Sequence, residues 1–576
     1  DAGAYLREPL GFGAIPAPVE CSMKHVLLVG AAVWTVFTAP ALAADLDPAK
    51  IAEHVKILAD DSFEGRGPAT AGETKTVEYI IQQYKAAGLQ PGGDLADGQR
   101  AWTQDVPLAR FENKGPVTVG VTAGGKAQAW TQGEQVALRP AQNGATRVSV
   151  KDAPVVFVGY GVKAPERDWD DFKGFDLKGK IALVLVNDPD FETGPESKNG
   201  GDFGGKAMTY YGRWTYKFEE AARQGAVGFL VIHETAPASY GWATVKNSNT
   251  NSQFDIIRQN PGESHALVEG WIQRDNTVDL FKTAGLDFEA LKAQAQTRAF
   301  KPVELKGVTF SADYEVDVQK IVSKNVVGRI VGAKRPGETI LYSSHWDHIG
   351  VGLPDARGDA IYNGAVDNAD GVATMIEIGR AFAKGRQPDR SVVFLAVTAE
   401  EKGLLGSEYY AANPLYPLAT TVADINMDAL SPTGPAKDFT TSGDAASTLQ
   451  DALIAVGKAK GRYYTPDPRP EAGSFFRSDH FPFAKRGVPA ISFGSGRDLV
   501  DGGRAAGEAF AKAYTAERYH QPADEFDPSW NLEGMAQDGE LMFELGRQLA
   551  NSTVWPDWKE GSEFKPIRDA TAAQRK

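Results

Sequence analysis

The chain has 576 residues, which exceeds the size that one hydrophobic core usually supports, so we expect two domains and additional terminal segments. Apolar residues make up 42% and charged residues 24% of the sequence, as in an ordinary soluble globular protein. The formal net charge of -14 and the lack of a basic cluster argue against a nucleic-acid-binding protein.

The first methionine, Met23, begins a pattern that is typical of a secretory signal. An apolar run over residues 26–37 is followed by Ala41-Leu42-Ala43, a small-residue cleavage pattern that predicts a mature chain beginning near Ala44. The apolar run is shorter than the roughly 20 residues that a membrane span needs. We therefore expect a signal peptide at residues 23–43 and a soluble periplasmic or secreted protein.

Residues 1–22 precede this signal and are interpreted as an upstream, non-native extension. Cys21 is the only cysteine of the sequence and lies in that extension. No catalytic role is therefore assigned to a thiol, and no disulfide is expected in the mature chain.

Helical periodicity marks two segments near the expected mature start, Ile51 to Leu58 and Glu73 to Ala87. A polar, glycine-rich stretch separates them. We expect residues 44–112 to form the N-terminal part of a larger domain whose remainder lies beyond residue 308.

From about residue 113 the pattern changes to short apolar runs separated by glycine-rich loops. Strands are predicted at 117–121, 155–162, 181–186 and 226–232, with a single helix at 215–224. This pattern predicts a β-rich domain inserted at residues 113–308. The segment has few candidate catalytic groups, so we expect it to shape access to a site rather than to take part in the chemistry.

Apolar strands and amphipathic helices alternate over residues 309–556. Strands are predicted at 325–331, 339–344, 392–398 and 490–493, and helices at 371–383 and 539–549. Buried strands alternating with helices predict an α/β fold, with a mostly parallel sheet sandwiched by helices. Residues 557–576 are charged and lack periodicity, which predicts a loose tail.

Five segments of this second domain each contain a possible metal ligand, and several of them follow apolar strands. The candidates are two histidines and three carboxylates: His345, Asp367, Glu401, Asp428 and His520. Nitrogen and oxygen donors in this proportion suit two zinc ions, with one carboxylate to bridge them. Each residue alone has an ordinary explanation, such as a helix cap for Asp367, and His348 competes locally with His345.

Glu400 and Glu401 directly follow the apolar strand at 392–398. Adjacent carboxylates repel each other unless a positive charge compensates them. Because successive side chains point in different directions, one can bind a metal while the other acts as a general base. Two solvated glutamates at a helix start would give the same sequence. Asp347, two residues after His345, is expected to accept the second imidazole N–H of that histidine.

Together these segments resemble the co-catalytic zinc aminopeptidases, a family that includes glutamate-carboxypeptidase-like enzymes. The similar motifs are Ser344-His345-Trp346-Asp347, residues 364–371, residues 399–407, Asn426-Met427-Asp428, Arg477-Ser478-Asp479-His480 and Tyr519-His520. The likeness covers residues 44–112 and 309–556. The insertion is similar to a protease-associated domain in residues 155–161 and 225–231.

The resemblance implies an exported enzyme that binds two Zn²⁺ ions and hydrolyses peptide bonds. Asp367 would bridge the metals, with His345 and Asp428 on one ion and Glu401 and His520 on the other. Glu400 would be the general base for a metal-bound water, and Tyr519 would donate to the oxyanion. Arg477, Ser478, Asp479 and His480 would lie along the substrate cleft, where a buried polar network is an equally open interpretation.

An aminopeptidase that releases N-terminal residues from peptides is the favoured activity, because a surplus of carboxylates favours an ammonium group near the metals. The alternative is a carboxypeptidase of the glutamate-carboxypeptidase type, in which Arg477 would bind a carboxylate. A non-catalytic receptor-like protein predicts eroded ligands, and a glutaminyl-cyclase-like transferase predicts an altered ligand set. All five ligand positions are intact in this sequence.

Overall fold

The computed structural model describes residues 46–193 and 202–575. The predicted extension, signal peptide, cleavage position and Cys21 lie outside the described residues. Within them, no helix is both long enough and apolar enough to cross a membrane.

The N-terminal part and the insertion contain helices and strands in alternation. The helices are α1 (Pro48–Leu58), α2 (Ala71–Ala87), α3 (Trp214–Arg223), α4 (Thr235–Ala238), α5 (Trp242–Asn249), α6 (Arg274–Thr283) and α7 (Phe288–Ala295). The strands are β1 (Gln90–Pro91), β2 (Leu95–Ala96), β3 (Gln99–Arg100), β4 (Thr103–Ala123), β5 (Lys126–Trp130), β6 (Val136–Leu138), β7 (Arg147–Phe157), β8 (Lys163–Ala164), β9 (Trp169–Asp170), β10 (Ile181–Leu185), β11 (Gly228–His233), β12 (Gln253–Ile256) and β13 (Val268–Gln273).

The remaining elements form the second α/β pattern. The strands are β14 (Val303–Ile330), β15 (Arg335–His345), β16 (Gly350–Val351), β17 (Ile361–Tyr362), β18 (Arg390–Val397), β19 (Thr421–Met427), β20 (Asp438–Thr441), β21 (Tyr463–Tyr464) and β22 (Ala490–Ser495). The helices are α8 (Asp370–Lys384), α9 (Leu405–Ala412), α10 (Thr448–Ala459), α11 (His480–Ala484), α12 (Gly503–Glu517), α13 (Glu533–Ala550) and α14 (Lys565–Ala570).

The sheet of the second domain confirms the predicted fold class. Its strand order is β21-β20-β22-β19-β15-β18-β14, and β18, β15, β19 and β22 are parallel to one another. Strands β18 and β19 are buried throughout and β15 is buried from Thr339 to His345, as expected for a sheet covered on both faces. The N-terminal helices α1 and α2 pack with α8 and α13 in the same core, as the sequence predicts.

The insertion has hydrophobic cores of its own, and they connect to the second domain through two long strands. Strands β4 and β14 form one antiparallel ladder, in which Thr103 pairs with Val326 at one end and Ala123 pairs with Val308 at the other. The predicted boundaries at residues 113 and 308 therefore fall inside continuous strands. The likeness to a protease-associated domain stays a prediction.

The insertion contains more helix than the single segment predicted for it. Helix α6 buries Thr277, Leu280 and Phe281, which lie on one helix face at i, i+3 and i+4, and this short pattern was not identified from the sequence. The strand predicted at 155–162 ends at Phe157, because Gly159 and Gly161 both adopt a φ of 60° and turn the chain.

The prediction of a loose C-terminal tail is wrong. Phe564 packs on Trp558 with ring centroids 4.9 Å apart, and Arg568 is 2% exposed and donates to the carbonyl of Thr421. A few aromatic rings and one arginine anchor this segment, and such an anchor produces no apolar periodicity.

A buried arginine joins the N-terminal segment to two loops of the second domain. Arg66 lies between α1 and α2 and is 1% exposed. Its guanidinium donates to the carbonyl oxygens of Leu58, Trp346 and Gly364, each at 2.8 Å. The fixed fork of donors on one guanidinium can satisfy several buried acceptors at once.

We predict that Arg66→Lys lowers the free energy of unfolding by about 2–4 kcal/mol, because an ammonium cannot reach all of these acceptors and leaves some unsatisfied. Urea unfolding followed by circular dichroism measures the change. The control is Arg147→Lys at an exposed ion pair, where the change should stay within about 0.5 kcal/mol. Equal unfolding curves for the two variants would contradict the assigned role.

Candidate metal centre

Three parallel strands deliver candidate ligands to one edge of the sheet. His345 is the last residue of β15, Glu400 and Glu401 follow β18, and Asp428 directly follows β19. Because β15 lies between β18 and β19, the carboxyl ends of the three strands are adjacent. Ligands of α/β sheets gather at such edges.

The other two candidate ligands come from loops. Asp367 lies in a buried turn just before α8, and the peptide bond between Asp367 and Asn368 is cis. The amides of Val366 and Asp367 donate to the carboxylate of Asp524, at 3.2 and 3.0 Å. Asp524 was not selected from the sequence, where nothing distinguishes it from a loop residue. His520 follows α12 in a loop of its own.

Asp367 lies between the two imidazoles and turns one oxygen to each. Its Oδ1 is 3.3 Å from His345 Nε2, and its Oδ2 is 3.2 Å from His520 Nε2. The Nε2 atom of His345 is also 3.3 Å from Asp428 Oδ1, and that of His520 is 3.0 Å from Glu401 Oε2. The structure thus brings all five candidates together as two His-carboxylate pairs that share one aspartate.

The buried carboxylates of the cluster favour positive charge on the groups beside them. Burial lowers the pKa of both imidazoles, yet the carboxylates outweigh it: the pKa of His345 lies well above its usual range, and that of His520 rises to about 9. Burial raises the pKa of Asp367, but the two histidines outweigh burial and hold it well below its usual range. Buried carboxylates that draw protons onto two imidazoles fit divalent cations, and the N/O donor set suits zinc.

Glu400 has a different environment from its neighbour Glu401. Burial, opposed by His345 and assisted by Asp428, raises the pKa of Glu400 well above its usual range. Burial also raises the pKa of Glu401, but His520 and His348 together outweigh burial and lower that pKa below the usual range. Glu400 therefore holds protons more readily than Glu401, as a proton acceptor beside a metal ligand requires.

The carboxylate of Asp347 does not have the partner predicted from the sequence. His345 Nδ1 lies 3.0 Å from the backbone carbonyl of Asp347, whereas the Asp347 carboxylate is 3.9 Å away. The carboxylate instead accepts the backbone N–H groups of Glu400 at 3.0 Å and Glu401 at 3.4 Å. The turn of the backbone after His345 causes this exchange, and sequence spacing does not reveal it. Asp347 thus orients the Glu400-Glu401 segment through its side chain and His345 through its backbone.

His348 is a buried neighbour of the cluster that sequence reasoning treated only as a competitor of His345. Its Nδ1 is 2.6 Å from Glu401 Oε1, and its ring is 5.6 Å from that of His520. Its ligand atom lies within 4.8 Å of ligand atoms of Asp367 and Glu401. His348 therefore faces the Glu401 end of the centre, while His345 faces Asp428.

The four residues from Arg477 to His480 divide between the cleft and its support. Arg477 and Ser478 line an open cavity in front of the cluster, together with Tyr519. Asp479 and His480 are fully buried: Asp479 accepts from Ser407 Oγ at 2.6 Å, and His480 packs edge-on against an aromatic ring. These last two residues belong to the supporting network rather than to the cleft surface.

The insertion was expected only to shape access to the site, but its residues also contact the candidate metal centre. Ser239 and Tyr240 line the cavity, and side chains of α5 contact the loop that carries His520. The fold thus brings a segment more than 250 residues away in sequence onto the candidate metal centre.

Comparison with known proteins agrees with this geometry. Residues 325–544 match the model of Peptidase family M28. A probable zinc metalloprotease of Pyrenophora teres f. teres (strain 0-1) is 33% identical over 134 residues, which is 23% of this chain and 28% of that protein. Aminopeptidase NAALADL1 of Mus musculus is 37% identical over 112 residues, 18% of this chain and 13% of the relative. The chain thus spans less than a third of the length of these curated relatives.

The fold is similar to that of the aminopeptidase from Aneurinibacillus sp. strain AM-1. The TM-score is 0.52 at 20% sequence identity, with 88% of this chain and 95% of that chain covered. The similarity extends over the insertion as well as the second domain, since neither alone accounts for that coverage. This similarity shows the fold, and the match of residues 325–544 to Peptidase family M28 confirms the resemblance noted in the sequence.

Proposed function

We propose that this protein is an exported two-zinc aminopeptidase that hydrolyses the N-terminal bond of peptides. The observation that carries the proposal is the shared carboxylate of Asp367, which turns one oxygen to His345 and the other to His520. Each imidazole has one further carboxylate of its own, in Asp428 and Glu401 respectively. Two equivalent half-sites joined by one aspartate form a donor set for a pair of ions rather than for one.

On this proposal His345 and Asp428 would hold one zinc ion, Glu401 and His520 would hold the other, and Asp367 would be shared by both. When bound, the two ions would supply Lewis-acid polarisation of the carbonyl group and would lower the pKa of a water molecule. The carbonyl of Asp347 orients His345 so that its Nε2 atom faces the cluster.

Glu400 moves the proton in this proposal. Its carboxylate lies 3.9 Å from His345 Nε2 at the cavity wall, next to the shared aspartate. Because burial and the neighbouring acids favour its protonated form, Glu400 can take a proton from the attacking water and pass it to the leaving amine. The two backbone hydrogen bonds from Glu400 and Glu401 to Asp347 hold this carboxylate in place.

Tyr519 stabilises the developing negative charge on the carbonyl oxygen. Its hydroxyl oxygen accepts a hydrogen bond of 2.9 Å from Arg477 Nη2, which leaves the hydroxyl proton free to donate into the cavity. A cation on the phenol oxygen strengthens that donor. Loss of a donor of this kind typically costs about 10²-fold or more in rate.

Substitution of the two adjacent glutamates separates proton transfer from metal binding. We expect Glu400→Gln to lower kcat by about 10²–10⁴-fold and to keep both metals, because it removes a base and not a ligand. Glu401→Gln should lower the metal content itself. Peptide hydrolysis and elemental analysis of the same samples measure both effects.

The matched control is Glu533→Gln at the exposed start of α13, which should change neither quantity. Metal loss in Glu400→Gln with full occupancy in Glu401→Gln would reverse the two assignments.

A second candidate activity is that of a carboxypeptidase. Arg469, Arg477 and Arg497 line the same cavity as the metal cluster, and guanidinium groups bind carboxylates well. The aminopeptidase assignment remains the proposal because Asp367, Glu400 and Asp428 line the cavity nearest to the reacting bond and favour an ammonium group there.

Blocked peptides distinguish the two directions. For an aminopeptidase, N-acetylation of a peptide should abolish cleavage, because it removes the ammonium charge, whereas C-terminal amidation should be tolerated. Chromatography of the products identifies the end that is released. Cleavage of the acetylated peptide together with loss of activity on the amidated one would assign a carboxypeptidase.

Export is part of the proposal and is supported by the signal-like pattern over residues 23–43. Expression of the full sequence followed by cell fractionation should give a chain cleaved near Ala44 in the periplasm or the medium. An uncleaved chain that stays in the cytoplasm would contradict export.

A further inference from the structure

Helix α5 of the insertion makes three side-chain hydrogen bonds to two consecutive residues of the second domain. Thr244 Oγ1 donates to the carbonyl of Tyr519 at 3.2 Å, and Asn247 Nδ2 donates to the carbonyl of His520 at 3.0 Å. The third bond joins Ser248 Oγ and His520 Nδ1 at 2.7 Å. All three act on the segment that carries one candidate metal ligand.

Helical spacing explains why these three residues act together. Positions 244, 247 and 248 are separated by three and four residues, so their side chains lie on one face of α5. Thr244 and Asn247 are buried, and Val245 on the same helix packs in the hydrophobic cluster that Tyr519 contacts. The contact is therefore a packed interface rather than a single surface hydrogen bond.

The backbone conformation of His520 is one that this interface can stabilise. Its φ is 54°, in the left-handed region that a residue with a side chain rarely adopts. Such a conformation persists only where the surroundings impose it, and the bonds from Thr244 and Asn247 fix the two carbonyls, of Tyr519 and His520, that flank the His520 α-carbon.

The hydroxyl of Ser248 fixes the proton of the imidazole. His520 Nε2 faces Asp367 and Glu401, so it must carry a free lone pair to bind a cation. The single proton of the neutral ring then lies on Nδ1 and is donated to Ser248 Oγ. In His345 the equivalent Nδ1 is held by the backbone carbonyl of Asp347, within the second domain.

We propose that Ser248, a residue of the inserted domain, is a positioning residue for the metal ligand His520, so that the insertion completes one of the two zinc sites. This inference rests on the proposed function for the presence of two ions. It is asymmetric: among the described residues, α5 forms hydrogen bonds to Tyr519 and His520 and none to His345 or Asp428. Partners that orient a ligating histidine typically change metal affinity by about 10–100-fold.

The test is a zinc titration of the full chain in competition with a chromophoric chelator. Wild-type protein should bind two ions tightly. Ser248→Ala should bind one ion as tightly as wild type and the second about 10–100-fold more weakly, because only one imidazole loses its partner. Ser248→Thr keeps the hydroxyl and should recover most of the second affinity. Thermal unfolding of the zinc-free proteins checks that each variant is folded.

The control is Thr250→Ala, which removes a hydroxyl at the end of the same helix whose only described hydrogen bond is to the Lys246 carbonyl. It should bind two ions like wild type. Two tight sites in Ser248→Ala, or equal weakening of both sites, would overturn the positioning role while leaving the proposed function intact. A wild-type chain that binds fewer than two ions would overturn both.

Discussion

The architecture of the centre depends on one constraint: several carboxylates share a small buried space and repel one another. Asp367, Glu400, Glu401 and Asp428 all contact or approach two imidazoles at the carboxyl edge of the sheet. Burial makes this repulsion stronger than it would be in water. Three kinds of group offset this negative charge. They are the histidines, the backbone amides that donate to Asp347 and Asp524, and the buried guanidinium of Arg66. Divalent ions would complete the same balance, which is why the cluster is a candidate metal centre.

The two half-sites are built by different means, although their donors are alike. The half of His345 is assembled from adjacent parallel strands, whose ends meet because the sheet is regular. The half of His520 comes from a loop in an unfavourable backbone conformation and needs external support. A ligand at the end of a strand inherits its position from the fold, whereas a ligand on a loop needs contacts made for it. This difference explains why the described hydrogen bonds from α5 support the half of His520.

Much of this molecule could be predicted from its sequence, and the failures have physical reasons. Buried strands and the residues that follow them are local patterns, so the sheet and the candidates His345 and Asp428 were found. Contacts between distant segments leave no periodic trace. Ser248 and Asp524 look like ordinary helix and loop residues, and only the fold brings them to the centre. The packing of the C-terminal segment was not predicted for the same reason, because an anchor such as Arg568 is a single residue and not a pattern.

The long strands have a consequence for how this protein can be divided. Strands β4 and β14, of 21 and 28 residues, run without interruption from the insertion into the second domain. Both ends of the insertion are thus held in one hydrogen-bonded ladder, with no linker between the two domains. Excising the insertion at its boundaries would cut that ladder and expose unpaired strand edges, which promote association with other chains. The insertion therefore cannot be exchanged as an independent module, because replacing it means replacing the paired strands together. For the same reason, any relative motion of the two domains must bend the shared strand pair β4–β14 instead of turning about a hinge.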